Sequence, residues 1–276
     1  MSGSFDFVLG SVEASVIGQA LGVDVRRFPL RFRNTTTDPV RLVKLTTLVS
    51  GELAKRRLLV GGKLHPQVST AFELFSSQRV VVSISGIDGR GCEIAVLALT
   101  DGAQALGITQ HGGVDELLFS LFSDDDLVDI LAGVLPVMGR APGPEATVRQ
   151  SATEYRSALT ARRAAERAHD EEETSAFGNI EVVGMVNPPR KSRGSGETDH
   201  ERLSRVLAGE RLGGGQIVVT GLGERSTPLS LSWLDTGEGR YLVHTTEARG
   251  EFVARYEPAD HADVAHAIRE LVSQAY

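Results

Sequence analysis

The sequence is poor in several features that other classes of protein need. It has one cysteine, Cys92, in 276 residues, which excludes an intrachain disulfide and an all-cysteine metal site. A single free thiol is typical of a protein in a reducing cytosol. No window approaches 18 uncharged apolar residues, so we expect no membrane-spanning helix and no membrane insertion. The N-terminus, MSGSFDFVLGSVEASV, lacks the basic start and the long apolar run of a secretory signal, and we therefore expect a cytoplasmic protein.

Excess positive charge is missing as well. The formal net charge is -7 and the sequence pI is about 5.6. Proteins that bind nucleic acid usually present a basic surface to the phosphates, so nucleic acid is not an expected partner. The apolar fraction of 41% is sufficient for a buried core, and the length suits one large domain or two modest ones.

Sequence signatures of catalysis, cofactor binding and metal binding are absent. The seven histidines include no His-x3-His or His-Glu-x2-His pair, and no Gly-x-Ser-x-Gly elbow occurs. Gly213 to Gly215 precede a predicted strand, whereas phosphate loops join a strand to a helix, so we interpret them as a flexible connection. The acidic run Asp124 to Asp126 suits the start of a helix, where carboxylates complement the helix dipole. We therefore predict no catalytic, cofactor-binding or metal-binding residues, and a protein that is not an enzyme.

The sequence does contain one series of elements that occurs twice. Between Gly215 and Leu271, four short segments with strand patterns are separated by glycine turns and followed by a helical pattern: QIVVTG, LSLSWL, RYLVHTT and EFVARY. An earlier series has the same order: RVVVSISG, EIAVLAL, ALGIT and VDELLFSL, again followed by a helix. Corresponding positions, such as Ile94 and Leu229, lie roughly 135 residues apart throughout. The chain therefore reads as two copies of one unit.

This repeat predicts an α+β fold with two pseudo-twofold-related halves. Each half is an antiparallel β-meander with flanking helices, and the boundary falls at the Ala141-Pro142-Gly143-Pro144 break. Edge-to-edge joining of the meanders would remove two exposed strand edges, so we expect one central sheet. The N-terminal half, 1–140, is predicted to contain helices, a meander over 79–122 and a helix over 124–135. The C-terminal half, 141–276, is predicted to contain a long helix over 145–172, a disordered loop over 187–198, a meander over 215–256 and a helix over 259–274.

The first half also carries helix and turn signals upstream of its meander. Gly22 ends a predicted helix that begins at Ser11, and Pro29 interrupts an extended segment over 25–32. A capping side chain before Pro39 begins a second helix that fades near Arg57. A third helix is predicted over 66–76.

The second meander offers a candidate contact surface. If Leu229, Leu231 and Trp233 face the core, alternation turns the residues between them outward, and the same reasoning applies to the next two strands. The resulting outward set mixes apolar, hydroxyl and cationic side chains, as protein interfaces do. The predicted partner-binding residues are Ser230, Ser232, Leu234, Arg240, Leu242, His244, Val253 and Arg255. Two alternatives stay open: helices of the same chain, or water, cover this face, or Trp233 itself faces outward and reverses the assignment.

The order of these elements resembles the EspG family of cytosolic chaperones of type VII (ESX) secretion. The resemblance is carried by the Pro142-Gly143-Pro144 break and by four segments: VIGQALGVDVRRFPLRF, RLLVGGKLHPQVSTAFELFSSQ, LGGGQIVV and GEFVARYEPADHADVAHAIREL. Two segments depart from the family pattern, since residues 162–173 and NPPRKSRGSGET are longer or more polar than expected.

The resemblance implies a binding protein without catalysis. Members of the family have pseudo-twofold halves and bind PE–PPE heterodimers in the cytosol at the tip of the helical PPE partner. Binding keeps the tip soluble and delivers the substrate to the secretion machine, through the central sheet and the C-terminal helical region. The residues alone leave two other functions open, a scaffold that uses the helix over 145–172 and a small-molecule or enzymatic site between the halves. They also leave a homodimer open.

Overall fold

The computed structural model describes residues 3–33, 38–151, 199–222, 227–248 and 251–276. These residues form a ten-stranded antiparallel sheet with helices on both faces, and a short two-stranded hairpin, β2–β3. The helices are α1 Ser11–Leu21, α2 Pro39–Lys55, α3 Pro66–Ser77, α4 Leu127–Val134, α5 Asp199–Ala208 and α6 His261–Ala275. The strands are β1 Phe5–Gly10, β2 Leu59–Val60, β3 Lys63–Leu64, β4 Val80–Ile87, β5 Glu93–Thr100, β6 Gln104–His111, β7 Glu116–Ser123, β8 Ala146–Ser151, β9 Arg211–Gly221, β10 Leu229–Thr236, β11 Gly239–Ala248 and β12 Glu251–Ala259.

The strand order shows the internal repeat. It runs β1-β7-β6-β5-β4-β9-β10-β11-β12-β8, so each meander occupies one half of the sheet and β4 pairs with β9 at the centre. Gln104 begins β6 and Gly239 begins β11, 135 positions later. Ser83 and Val218, which have the same separation, lie directly opposite each other across the central pair. The predicted α+β fold, with two halves joined in one sheet, is confirmed.

The helices divide between the two faces of the sheet. The helices that follow the two meanders, α4 and α6, lie on one face, which we call the α4–α6 face. They cover apolar side chains of the central strands, namely Val82, Ile84, Ile217 and Val219. The other, which we call the α3–α5 face, is covered in its first half by α1 and α3 and in its second half by α5. Both layers bury apolar side chains, and this burial is the main driving force for folding.

The predicted helix boundaries follow from capping residues. Gly22 ends α1 in the left-handed conformation, with φ of 71°, which glycine adopts without steric cost. The Asp38 carboxylate accepts hydrogen bonds from the backbone N–H groups of Val40 and Arg41, at 2.9 and 3.0 Å, and Pro39 occupies the first turn of α2. Asp260 caps α6 in the same way, and the Asp263 carboxylate reciprocates by accepting from the Asp260 N–H at 2.8 Å.

The prediction of a long helix over 145–172 is wrong for the first residues of that range. Residues Ala146–Ser151 form β8, which pairs with β12 and places Val148 opposite Ala254. The free edge of β12 offers a full row of hydrogen-bonding groups, and this tertiary pairing outweighs the helical spacing of the apolar residues. The remainder of that helix and the loop over 187–198 lie outside the described residues, and the division at residue 140 remains a prediction.

Two further segments differ from the sequence interpretation. Gly213, Gly214 and Gly215 lie inside β9 and pair with β4 and β10, so the prediction of a flexible connection is wrong. Glycine is required at Gly215 because an added Cβ would lie 2.3 Å from the Trp233 ring. β1, Phe5–Gly10, which forms the edge of the sheet opposite β8, was not predicted. The extended segment over 25–32 forms no strand, in agreement with its interruption by Pro29.

Candidate functional site

The register of the second meander divides the eight predicted contact residues between two faces. Trp233 lies directly opposite Leu242, and His244 lies directly opposite Arg255. Directly opposed residues share a face, so Arg240, Leu242, His244, Val253 and Arg255 lie on the α4–α6 face with Trp233. Ser230, Ser232 and Leu234 lie on the α3–α5 face. The prediction of one shared outward face is therefore wrong. The two-residue turn at Gly237 and Glu238 fixes the register of β11 on β10, and this register places Leu242 rather than Tyr241 on the same face as Trp233.

Two of the eight residues are buried. Leu231 and Trp233 point into the core as predicted, but Leu242 is only 2% exposed and packs in the same apolar cluster. Arg240 is 1% exposed, and its Nε and Nη2 atoms bond to the two carboxylate oxygens of Asp235 at 2.6 and 2.8 Å. Nη2 also donates to the carbonyl of Pro136 at 2.7 Å. The outward orientation predicted for Arg240 and Leu242 is wrong. Through its bond to Pro136, Arg240 links the segment after α4 to the sheet.

His244 and Arg255 belong to a charged cluster near the edge of the α4–α6 face. Glu257 Oε2 lies 3.5 Å from both His244 Nε2 and an Arg255 nitrogen, and Glu145 lies 3.6 Å from Arg255. Partial burial, followed by the neighbouring Arg255 charge, lowers the pKa of His244. Cations and carboxylates therefore compensate one another here, and half-buried Val253 lies beside them on β12.

Ser230 and Ser232 lie on a different surface, which we call the central strip. It runs across β4, β9 and β10 on the α3–α5 face, where directly opposed residues align in rows. Its side chains are exposed or half-buried, uncharged and mostly small: Ser83, Ser85, Gln216, Val218, Ser230 and Ser232. On either side the same face is covered, by α3 over β5 and β6 and by α5 over β11 and β12.

The dimensions of the central strip suit a helix. Adjacent strands lie about 4.8 Å apart, so β4 and β10 are separated by roughly 10 Å, close to the diameter of an α-helix with its side chains. Half-buried Leu234 packs under α5 at one border. At the other border the segment 24–33 crosses the sheet, where the Ser83 hydroxyl donates to the carbonyl of Phe28 at 3.2 Å. The floor of the strip is rich in hydroxyl groups and consists mostly of small side chains.

Four residues of the central strip were not among the predicted contact residues: Ser83 and Ser85 of the first meander, and Gln216 and Val218 of β9. A signal for two of them was present, because Ser83 and Ser85 alternate with the buried Val82 and Ile84 in β4. Alternation of that kind marks one covered and one open face. The position of the strip at the junction of the repeats follows only from the pairing of β4 with β9.

The described parts of the chain contain no candidate metal centre, and the carboxylates of one cavity are engaged within the protein. Within them, no three His, Cys, Asp or Glu side chains gather into a metal-binding group. A cavity of about 370 Å³ is lined in part by Asp88 and Asp235, and both carboxylates already have partners. Asp235 binds Arg240, and Asp88 accepts from the backbone N–H groups of Cys92 and Arg90, which lower its pKa. No described helix is long and apolar enough to cross a membrane.

The described residues form two meanders in one sheet, with paired helices on one face and an uncovered central strip on the other. This arrangement defines a two-copy α+β protein. The EspG family model matches residues 11–270, and the chain belongs to the EspG family. Among solved structures it is similar to that of the Mycobacterium tuberculosis type VII secretion system chaperone EspG5 in complex with the PE25–PPE41 dimer. The TM-score is 0.63 at 11% identity, over 99% of this chain and 97% of that chain, and this likeness shows the fold. No curated protein sequence matches.

Proposed function

We propose that this protein is a cytoplasmic, non-catalytic chaperone of type VII secretion that binds a PE–PPE heterodimer and directs it to the secretion machine. Membership of the EspG family over residues 11–270 carries the proposal. The fold it shares with EspG5, a chaperone whose structure is solved with PE25–PPE41, supports the same role. Binding of this kind needs a preformed surface and no reacting groups.

The central strip is the contact surface in this proposal. A helical substrate tip lying across Ser230, Ser232 and Val218 would bury its apolar side chains against a floor that carries no charge to desolvate. Serine hydroxyls both donate and accept hydrogen bonds, so they can satisfy polar groups at the tip. Of the eight sequence-predicted residues, Ser230 and Ser232 line this surface, and Leu234 supports its border with α5.

The expected affinity follows from interface size. A standard interface buries about 800 Å² on each partner, and apolar burial contributes about 25 cal/mol per Å² before the entropy of association is subtracted. Micromolar to nanomolar dissociation constants are common for interfaces of that size. Such a chaperone holds its substrate without nucleotide, and the secretion machine would release it.

Purified protein mixed with PE–PPE heterodimers from its own host tests the proposal. Size-exclusion chromatography with light scattering should show a complex of one chaperone with one heterodimer. A helical heterodimer of similar size, but not of the PE–PPE class, is the matched control and should elute separately. If no PE–PPE pair of the host binds, or if the control binds equally well, the proposed function is wrong.

A further inference from the structure

The segment 24–33, which we call the arginine strap, is held firmly against the α3–α5 face. The buried Gln110 side chain accepts from the Arg31 backbone N–H at 2.6 Å and donates to the Arg31 carbonyl at 3.0 Å. Arg27 donates to the carbonyl of Phe75 at 3.1 Å, and Ser83 donates to the carbonyl of Phe28. Because these bonds fix the backbone at several points, the strap presents its outward side chains in one arrangement.

Phe28 is the outward side chain of greatest interest. Phe28 is 70% exposed, although the next two residues, Pro29 and Leu30, are buried. Its carbonyl is bonded to Ser83, which places the residue at the border of the central strip. Aromatic residues that are held rigidly beside an open surface are frequent anchors of protein interfaces, because they bury a large area at little entropic cost.

The charge of the strap contrasts with that of the whole chain. Residues 24–33 contain four arginines and one acid, Asp24, in a protein with a formal net charge of -7. Arg27 contacts the carbonyl and the ring of Phe75, neither of which carries a negative charge. Arg31 and Arg33 pair with Glu93 and Asp115, but both arginine side chains remain more than half exposed, at 53% and 73%. A carboxylate on a partner would meet a favourable potential here.

We propose that Phe28 and the arginine strap form one wall of the substrate site. Phe28 contacts an apolar side chain on the helical tip of the substrate, and the strap attracts carboxylates that flank it. This inference rests on the proposed function and extends it, because it places the contact on a segment outside the sheet and specifies an apolar tip with acidic flanks.

Substitutions at Phe28 test both parts of the inference with the full-length chain and a PE–PPE heterodimer that binds the wild type. Phe28→Ala should weaken binding by about tenfold or more, the effect expected of an interface anchor. Val137→Ala removes an equally apolar side chain, 100% exposed after α4, and should leave affinity unchanged. Thermal unfolding of both variants should match the wild type, since neither side chain is buried. Unchanged affinity of Phe28→Ala would overturn the anchor.

The sign of the partner charge is tested by two variants that both remove the ring. Phe28→Lys should bind more tightly than Phe28→Glu at low salt, and the difference should shrink in about 0.5 M salt as screening increases. Equal affinities, or tighter binding by Phe28→Glu, would overturn the acidic assignment. These outcomes are distinct from failure of the proposed function, in which the wild type itself binds no PE–PPE heterodimer.

Discussion

Gly86 and Gly215 lie directly opposite each other across the central strand pair, under the ring of Trp233. An added Cβ would lie 2.8 Å from the Trp233 Cη2 atom at Gly86 and 2.3 Å from it at Gly215. The two glycines therefore make the space in which the only tryptophan packs, at the point where the two halves join. This pair explains why β9 tolerates a glycine run that would ordinarily weaken a strand.

Alanine at Gly215 should destabilise the protein. The new methyl group would overlap the Trp233 ring and lie 2.2 Å from the Ser85 carbonyl, so the strands must separate or the ring must move. Overpacking of this kind costs about 1–3 kcal/mol, and the free energy of unfolding in urea measures it. Gly51→Ala is the control, because a Cβ at this position in α2 meets nothing within 4 Å. There alanine should stabilise by about 0.5–1 kcal/mol, and equal effects at the two sites would contradict the packing account.

Removal of Asp235 should be among the most damaging single changes in the second half. Asp235→Ala leaves the Arg240 guanidinium buried without its carboxylate, and breaking a buried pair costs about 3–5 kcal/mol. Chemical denaturation measures the loss. Glu238→Ala breaks the exposed pair with Arg205, whose side chains are 34% and 55% exposed, and should cost no more than about 1 kcal/mol. Similar losses in the two variants would show that burial of Arg240 does not matter.

His244 should make stability depend on pH. Burial lowers its pKa in the folded state, so the unfolded chain takes up the proton first as the pH falls. The stabilising contribution is complete above the ordinary histidine pKa of about 6.5, and it is lost as the pH falls from there through the lower folded value. The melting temperature of the wild type should therefore fall more between about pH 7.5 and 5.5 than that of His244→Gln. Parallel pH profiles for the two proteins would contradict this.

The repeat and its strands could be predicted because their information is local. Glycine turns and alternating apolar residues define each meander, and the constant separation of Ile94 from Leu229 indicates two copies of one unit. Strands that depend on distant pairing were missed. The apolar residues of Ala146–Ser151 have helical spacing, and the segment is extended because it pairs with the edge of β12. That pairing partner lies about 100 residues away in the sequence and leaves no local signal.

The candidate surface was harder to predict, because a shift of one residue in register exchanges the two faces of a strand. The predicted orientation of Trp233 was correct, but Tyr241 rather than Leu242 was placed beside it. The two-residue turn at Gly237 and Glu238 is the feature that places Leu242 opposite Trp233. Burial of Arg240 with Asp235 could not be predicted from the sequence, because nothing local distinguishes that arginine from a solvated one.

The most direct test of the central claim compares one substitution on each face of the second meander. Ser230→Arg places a long charged side chain in the central strip at an exposed position, and Val253→Asp places a charge on the α4–α6 face. Calorimetric titration with a PE–PPE heterodimer should show affinity reduced by about tenfold or more, or about 1.4 kcal/mol, for Ser230→Arg and unchanged for Val253→Asp. Wild-type affinity for Ser230→Arg together with a loss for Val253→Asp would contradict the account and assign the substrate to the opposite face.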